Sequence, residues 1–195
     1  KGVHPDVYSD GAGRTGLWLS IRASVGFYDC AKLLLDYGAN VEHKNMNNYC
    51  LLCEMVAAHR LDSIRFLLAE TDVSITSENG PLAKNPMMMA CELGHADIVH
   101  CLLARSPTTE ILNKQTLDGH TALVLAVLFN RIEVVNVLCE YDKTNLNFAL
   151  DDGTTPIFHA AKHGHHEILR TLLAYDVSRS INRRALQERL TPLLV

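Results

Sequence analysis

The chain has 195 residues, of which 48% are hydrophobic and 21% charged. That length fits one domain, or two at most, and that balance excludes intrinsic disorder. Net charge is −4, and the eighteen Lys and Arg are scattered, so the basic stripe that holds a phosphate backbone is missing. No apolar run approaches the roughly 20 residues needed to cross a bilayer, and no signal peptide is legible in residues 1–10. The six cysteines lie in apolar stretches such as Met89-Ala90-Cys91 and Val137-Leu138-Cys139. There they read as small hydrophobes of a reduced protein, cytoplasmic or nuclear, rather than as a disulfide framework.

Self-similarity decides the architecture, and it is present along the whole chain. The first unit, about residues 10–44, carries Gly13-Arg14-Thr15, then Leu34-Leu35, then Tyr37-Gly38-Ala39-Asn40-Val41. Two extra residues fall between its expected helices, around Arg22 to Val25. The second, about 45–79, begins Cys50-Leu51-Leu52-Cys53 and ends on Leu67-Leu68. The third, about 80–115, runs Asn85-Pro86, Gly94-His95-Ala96-Asp97-Ile98-Val99 and Leu102-Leu103. The fourth, about 116–149, has Gly119-His120-Thr121-Ala122-Leu123 and Leu138-Cys139. A partial sixth, 186–195, stops at Thr191-Pro192-Leu193-Leu194-Val195, and this ending inside an expected helix suggests a fragment of a longer protein.

The fifth unit, about 150–185, shows the local logic most fully. Asp152-Gly153 is turn chemistry. Thr155 can cap a helix whose first residue, Pro156, has no N–H to lose. Ile157, Ala160 and Ala161 share a helical face, and Gly164 can take the left-handed conformation that stops the helix. Ile168, Leu169, Leu172 and Leu173 then form the apolar face of a second helix. The Thr position recurs as Thr15, Cys50, Asn85, Thr121, Thr155 and Thr191, at spacings of 35, 35, 36, 34 and 36 residues. A lone hairpin of two short helices cannot shelter its leucines, so such units must stack.

These residues resemble the ankyrin repeat, whose core reads as a Gly, then Thr-Pro-Leu-His, paired alanines, Gly-His and a Leu pair. The resemblance spans about residues 10–195. It implies an all-α fold, an ankyrin-repeat α-solenoid of stacked helical hairpins with finger-like loops, forming a single domain over 1–195. The second unit departs most, because His59 stands where Gly would take the left-handed turn, at a cost of about 1 kcal/mol.

Cys50 and Cys53 look like half a zinc site or a redox pair, but no second pair follows, and their place at a helix start favours core packing. His159 and His163 are four apart, yet lack the H-E-x-x-H pattern. Phe158 holds the place the family gives to His, while His95 and His165 match the structural His after Gly. Met87-Met88-Met89 reads as core filling, and Asp151-Asp152 as an exposed turn. The expectation is no enzyme, no cofactor and no metal.

The resemblance further implies a protein or peptide partner, held in a concave groove made by the fingers and the outward ends of the first helices. Those helix positions are Ala57-Ala58, Glu92-Leu93, Leu128-Phe129 and Lys162-His163, and the fingers carry Arg14, Tyr49, Lys84, His120 and Thr154. Leu93, Leu128 and Phe129 are large and apolar on adjacent units, so they are expected to form a binding patch flanked by Tyr49, Lys162 and His163. The competing reading tucks them under the fingers. Asn113, Asn147 and Asn182 match a position that the family hydroxylates. Two rivals stand beside the scaffold: a regulatory or targeting arm of a larger enzyme, and a metal- or redox-dependent module using Cys50, Cys53 and His59.

Overall fold

A computed structural model describes residues 4–23, 27–105, 109–141, 146 and 148–175. The partial sixth unit, Asn147 and Asn182 lie outside the described residues. Helices alternate along the chain in pairs: α1 (Gly16–Arg22) with α2 (Tyr28–Asp36), α3 (Leu51–Ala57) with α4 (Leu61–Glu70), and α5 (Pro86–Leu93) with α6 (Ala96–Arg105). A one-turn helix, α7 (Thr109–Asn113), precedes the pairs α8 (Ala122–Leu128) with α9 (Ile132–Tyr141) and α10 (Pro156–Lys162) with α11 (His166–Ala174). Among the described residues there is no β-strand. Isolated bridges Ser9–Thr15, Lys44–Cys50 and Asn79–Lys84 pinch the first three loops into fingers.

Two compact units, residues 1–86 and 87–195, divide the chain. The boundary falls at the start of α5, inside the third repeat, so it does not follow the repeat spacing. Within each unit the core consists of the inner faces of the hairpins. Leu17, Trp18, Ile21, Leu51, Leu52, Met55, Ile64 and Leu67 fill the first, and Ile98, Leu102, Leu123, Val134, Val135, Ile157, Phe158 and Ile168 belong to the second.

Local signals worked largely as written. The hydroxyl oxygens of Thr121 and Thr155 accept from the amides of Val124 (3.4 Å) and Phe158 (3.3 Å), so each caps its helix. Cys50, which has no such oxygen, is served differently: its amide donates to Asn79 Oδ1 at 2.8 Å, from the next finger. Cys50, Cys53, Met87 and Met88 are fully buried core, as the packing reading expected, while Met89 is only half-buried. The Cys53 thiol, hydrogen-bonded to Cys50 and buried, has its pKa raised, so it is no ready nucleophile. His59 does occupy the left-handed region (φ 53°), and Asn130 does the same at the fourth repeat (φ 55°). The long connection before the fourth repeat is not bare loop, because α7 buries Ile111 and Leu112.

Gly94 and Gly164 occupy the same turn, with φ of +86° and +69°. A Cβ on Gly164 would meet nothing within 4 Å, whereas one on Gly94 would lie 2.8 Å from Arg131 Cδ. Gly164→Ala should therefore cost only the left-handed backbone penalty, about 1–2 kcal/mol. Gly94→Ala should cost more, because it also pushes Arg131 aside. Urea midpoints of the two variants, compared with the parent, check that order.

Candidate protein-binding surface

The first helices of the third, fourth and fifth repeats end in the same register. α5 closes on Glu92-Leu93, α8 on Leu128-Phe129, and α10 on Lys162-His163, with Phe129 and His163 as C-caps. The next residue or two turn left-handed, at Gly94, Asn130 and Gly164, and this turn swings the terminal side chains off the core. Phe129 is 46% exposed and Leu93 38%, while Leu128 is half-buried. Leu93 and Phe129 are thus on the surface, both within residues 87–195, and Leu128 is partly sheltered.

Lys162 and His163 are exposed beside that register. The Lys162 ammonium sits 5.8 Å from the centre of the Phe158 ring, over its face. His163 Nδ1 lies 2.9 Å from the His159 carbonyl, and its ring stacks between those of His159 and His165, at 6.3 and 5.8 Å. Tyr49 belongs to the other compact unit. It is half-buried, and its ring lies so close over Gly80 that a Cβ there would be 2.5 Å from the phenolic oxygen. Its first role is to clamp two fingers of residues 1–86 together.

Arg60 and Arg131 hold corresponding places just before the second helices, and no motif singled them out. Arg131 Nε donates to the Glu92 carbonyl at 2.9 Å, at the C-terminal end of α5. Arg60 Nη2 donates to the Arg22 carbonyl at 2.9 Å, at the end of α1. Each guanidinium meets a carbonyl at the C-terminal end of the first helix of the repeat before its own, at the negative end of that helix's dipole. The findable signal was the recurrence itself, each Arg ten residues after its Thr position.

The fingers of the fourth and fifth repeats enclose a cleft of about 490 Å³, lined by Leu117, Asp118, Gly119, His120, Leu150, Asp151 and Asp152. Asp152 Oδ1 accepts from the Thr154 amide (2.9 Å) and hydroxyl (2.6 Å). Burial would raise its pKa, but the Thr154 bonds together with His159 and His120 hold it below the usual value. Thr154 Oγ1 in turn lies 3.0 Å from His159 Nε2. Phe158, in the family's His place, is buried core, so the finger-bonding histidine has moved one position along the helix. Among the described residues, no group of three or more His, Cys, Asp or Glu is placed to hold a metal ion. None of their helices is long and apolar enough to cross a membrane.

Family models agree with this geometry. The model for ankyrin repeats in three copies matches residues 52–149, and the single ankyrin-repeat model matches 12–46 and 152–184. The chain belongs to the ankyrin-repeat family, and it has the architecture of a protein–protein interaction domain. Among solved structures it is similar to the ankyrin repeat domain of Bcl-3, at 18% identity and a TM-score of 0.84, over 97% of this chain and 80% of that one. It also matches an ankyrin repeat domain from Acinetobacter baumannii AYE, at 27% identity and a TM-score of 0.74, over 90% and 87%. Curated relatives include Potassium channel AKT2/3 of Arabidopsis thaliana, 28% identical over 70% of this chain. Another is the Ankyrin repeat and KH domain-containing protein mask-1 of Caenorhabditis elegans, 30% identical over 80%. The chain spans only 16% and 6% of the length of those two relatives.

The buried His159 gives a pH test. Burial lowers its pKa to about 4, His120 pushes the same way, and Asp152 opposes. The folded state therefore binds fewer protons than the unfolded chain between about pH 6.5 and 4, and stability falls as pH drops through that window. Urea midpoints measured from pH 7 to 4 should decline more steeply in the parent than in His159→Gln.

Proposed function

We propose that this chain is a non-enzymatic scaffold that binds a partner protein or peptide on its concave face, through the exposed ends of the first helices. The observation that carries the reading is the shared register of Leu93 and Phe129, both exposed, with half-buried Leu128 next to Phe129 in the chain. Large apolar side chains repeated in this way are costly in water and become favourable once a partner covers them. Lys162 and His163 edge the patch with charge and hydrogen-bonding capacity, and Tyr49 offers its hydroxyl edge on the other compact unit. The six cysteines form no disulfide and four of them are buried, which supports work in a reducing compartment, cytoplasm or nucleus.

A second reading makes the repeats the regulatory or targeting arm of a larger protein. The small share that the chain covers of its curated relatives favours this reading, and it uses the same surface.

Affinity capture from a cell lysate, with the parent chain beside a Leu93→Ser, Leu128→Ser, Phe129→Ser variant, is the test. Circular dichroism establishes that the variant is folded. Loss of a central apolar anchor costs about 2 kcal/mol or more, roughly 30-fold in affinity. A partner held by the parent and lost by the folded variant is the expected outcome. Equal capture by both would move binding to the fingers or the second helices.

A further inference from the structure

Asn79-Gly80 is the one Asn-Gly pair in the sequence. In such a pair the glycine nitrogen can attack the asparagine side-chain carbon, because glycine has no Cβ to hold it off. Attack makes the new N–C bond of a cyclic imide, and the Gly80 proton and the side-chain NH2 leave together as ammonia. A water molecule then opens the ring at either carbonyl, giving aspartate or isoaspartate, and water is the only co-reactant. Elsewhere the following residue opposes this step. Asn48 precedes Tyr49, Asn130 precedes Arg131, and Asn85 precedes Pro86, which has no N–H.

The fold restrains each participant in that reaction. Asn79 is 1% exposed. Its Oδ1 accepts from the Cys50 amide at 2.8 Å, and its Nδ2 donates to the Ser77 carbonyl. Its backbone amide donates to the Lys84 carbonyl (2.9 Å), and its carbonyl accepts from the Lys84 amide (3.0 Å). The attacking nitrogen is occupied too, since the Gly80 N–H donates to the Asn48 carbonyl at 3.2 Å. Asn48 presents that carbonyl from a left-handed conformation (φ 60°), and the Tyr49 ring lies over Gly80. All of these residues belong to the same compact unit.

The same contacts make the reaction consequential. Cys50 starts α3 without a side-chain oxygen of its own, and its amide is served by Asn79. Aspartate at 79 keeps an acceptor for that amide, but it sets a second, charged oxygen against the Ser77 carbonyl in a buried site. Isoaspartate lengthens the backbone by a methylene, so the paired bonds to Lys84 and the Gly80 bond to Asn48 lose their register. Neither product restores the donor that Nδ2 gave to Ser77.

We propose that Asn79-Gly80 is a one-way chemical switch. The closed third finger keeps the pair intact, opening of that finger away from Asn48 and Cys50 releases it to deamidate, and the product holds the finger loosened. The switch does not rest on the partner site, with which it shares only Tyr49.

Deamidation is followed by site-resolved mass spectrometry, with isoaspartate scored separately, while the chain is incubated in mildly alkaline buffer. The folded parent, the parent unfolded in guanidinium chloride, and folded Tyr49→Ala and Tyr49→Phe are compared, with circular dichroism to establish folding. Asn48 and Asn85 in the same digests are the slow internal references. The unfolded chain is expected to convert Asn79 at least about tenfold faster than the folded parent, as opening-limited reactions do. Tyr49→Ala, which removes the clamp, should fall between them, and Tyr49→Phe, which keeps the ring, should match the parent. Asn79→Asp, the product itself, should lower the thermal midpoint. Equal Asn79 rates in the folded and unfolded parent would overturn the proposal. A folded Tyr49→Ala reacting no faster than the parent would break its link to finger opening, and an unchanged midpoint in Asn79→Asp would show that the finger closes again after reaction.

Discussion

Within each compact unit of this protein, everything depends on the stacking of one helical hairpin on the next. A first helix of seven or eight residues and a second of nine or ten are each too short to persist alone in water. Their stability comes from burying Leu, Ile and Val between neighbours, at about 1.5–3 kcal/mol per large side chain. Leu67, Leu102 and Leu172 are 0% exposed because a neighbouring element covers them. Arg60 and Arg131 add a polar stitch to the same joints, each placing a guanidinium on a carbonyl at a first-helix end.

This division of labour leaves some positions free to specialise. The inward faces are committed to stacking, and the turns to left-handed residues, so variety concentrates at the ends of the first helices and on the fingers. There the chain puts Leu93, Leu128 and Phe129, then Lys162 and His163. Nothing about folding calls for an exposed Phe129 or Leu93, and the proposed partner-facing role would account for them. The fold alone names no partner.

Much of the fold was legible in the residues. Thr121 and Thr155 announced caps, Gly94 and Gly164 announced left-handed turns, and the Leu pairs marked every second helix. What could not be read was tertiary in origin. The Asn79 bond to the Cys50 amide joins residues twenty-nine apart and leaves no periodic trace. α7 is five residues long, below the length at which helical spacing shows. In the sequence His159 could be weighed only as a possible metal partner of His163, whereas the structure buries it against Thr154 and Asp152. At the candidate surface, sequence register placed Leu93 and Phe129 outside correctly, but the half-burial of Leu128 and the clamping of Tyr49 over Gly80 depend on neighbours that only the folded chain supplies.

The most direct test of the account is amide hydrogen exchange on the chain with and without the partner it captures. Binding through the first-helix ends predicts added protection at residues 90–95, 126–131 and 160–165, with the second helices unchanged. Protection confined to α4, α6, α9 and α11 would contradict it, because it would place the partner on the opposite side of every hairpin.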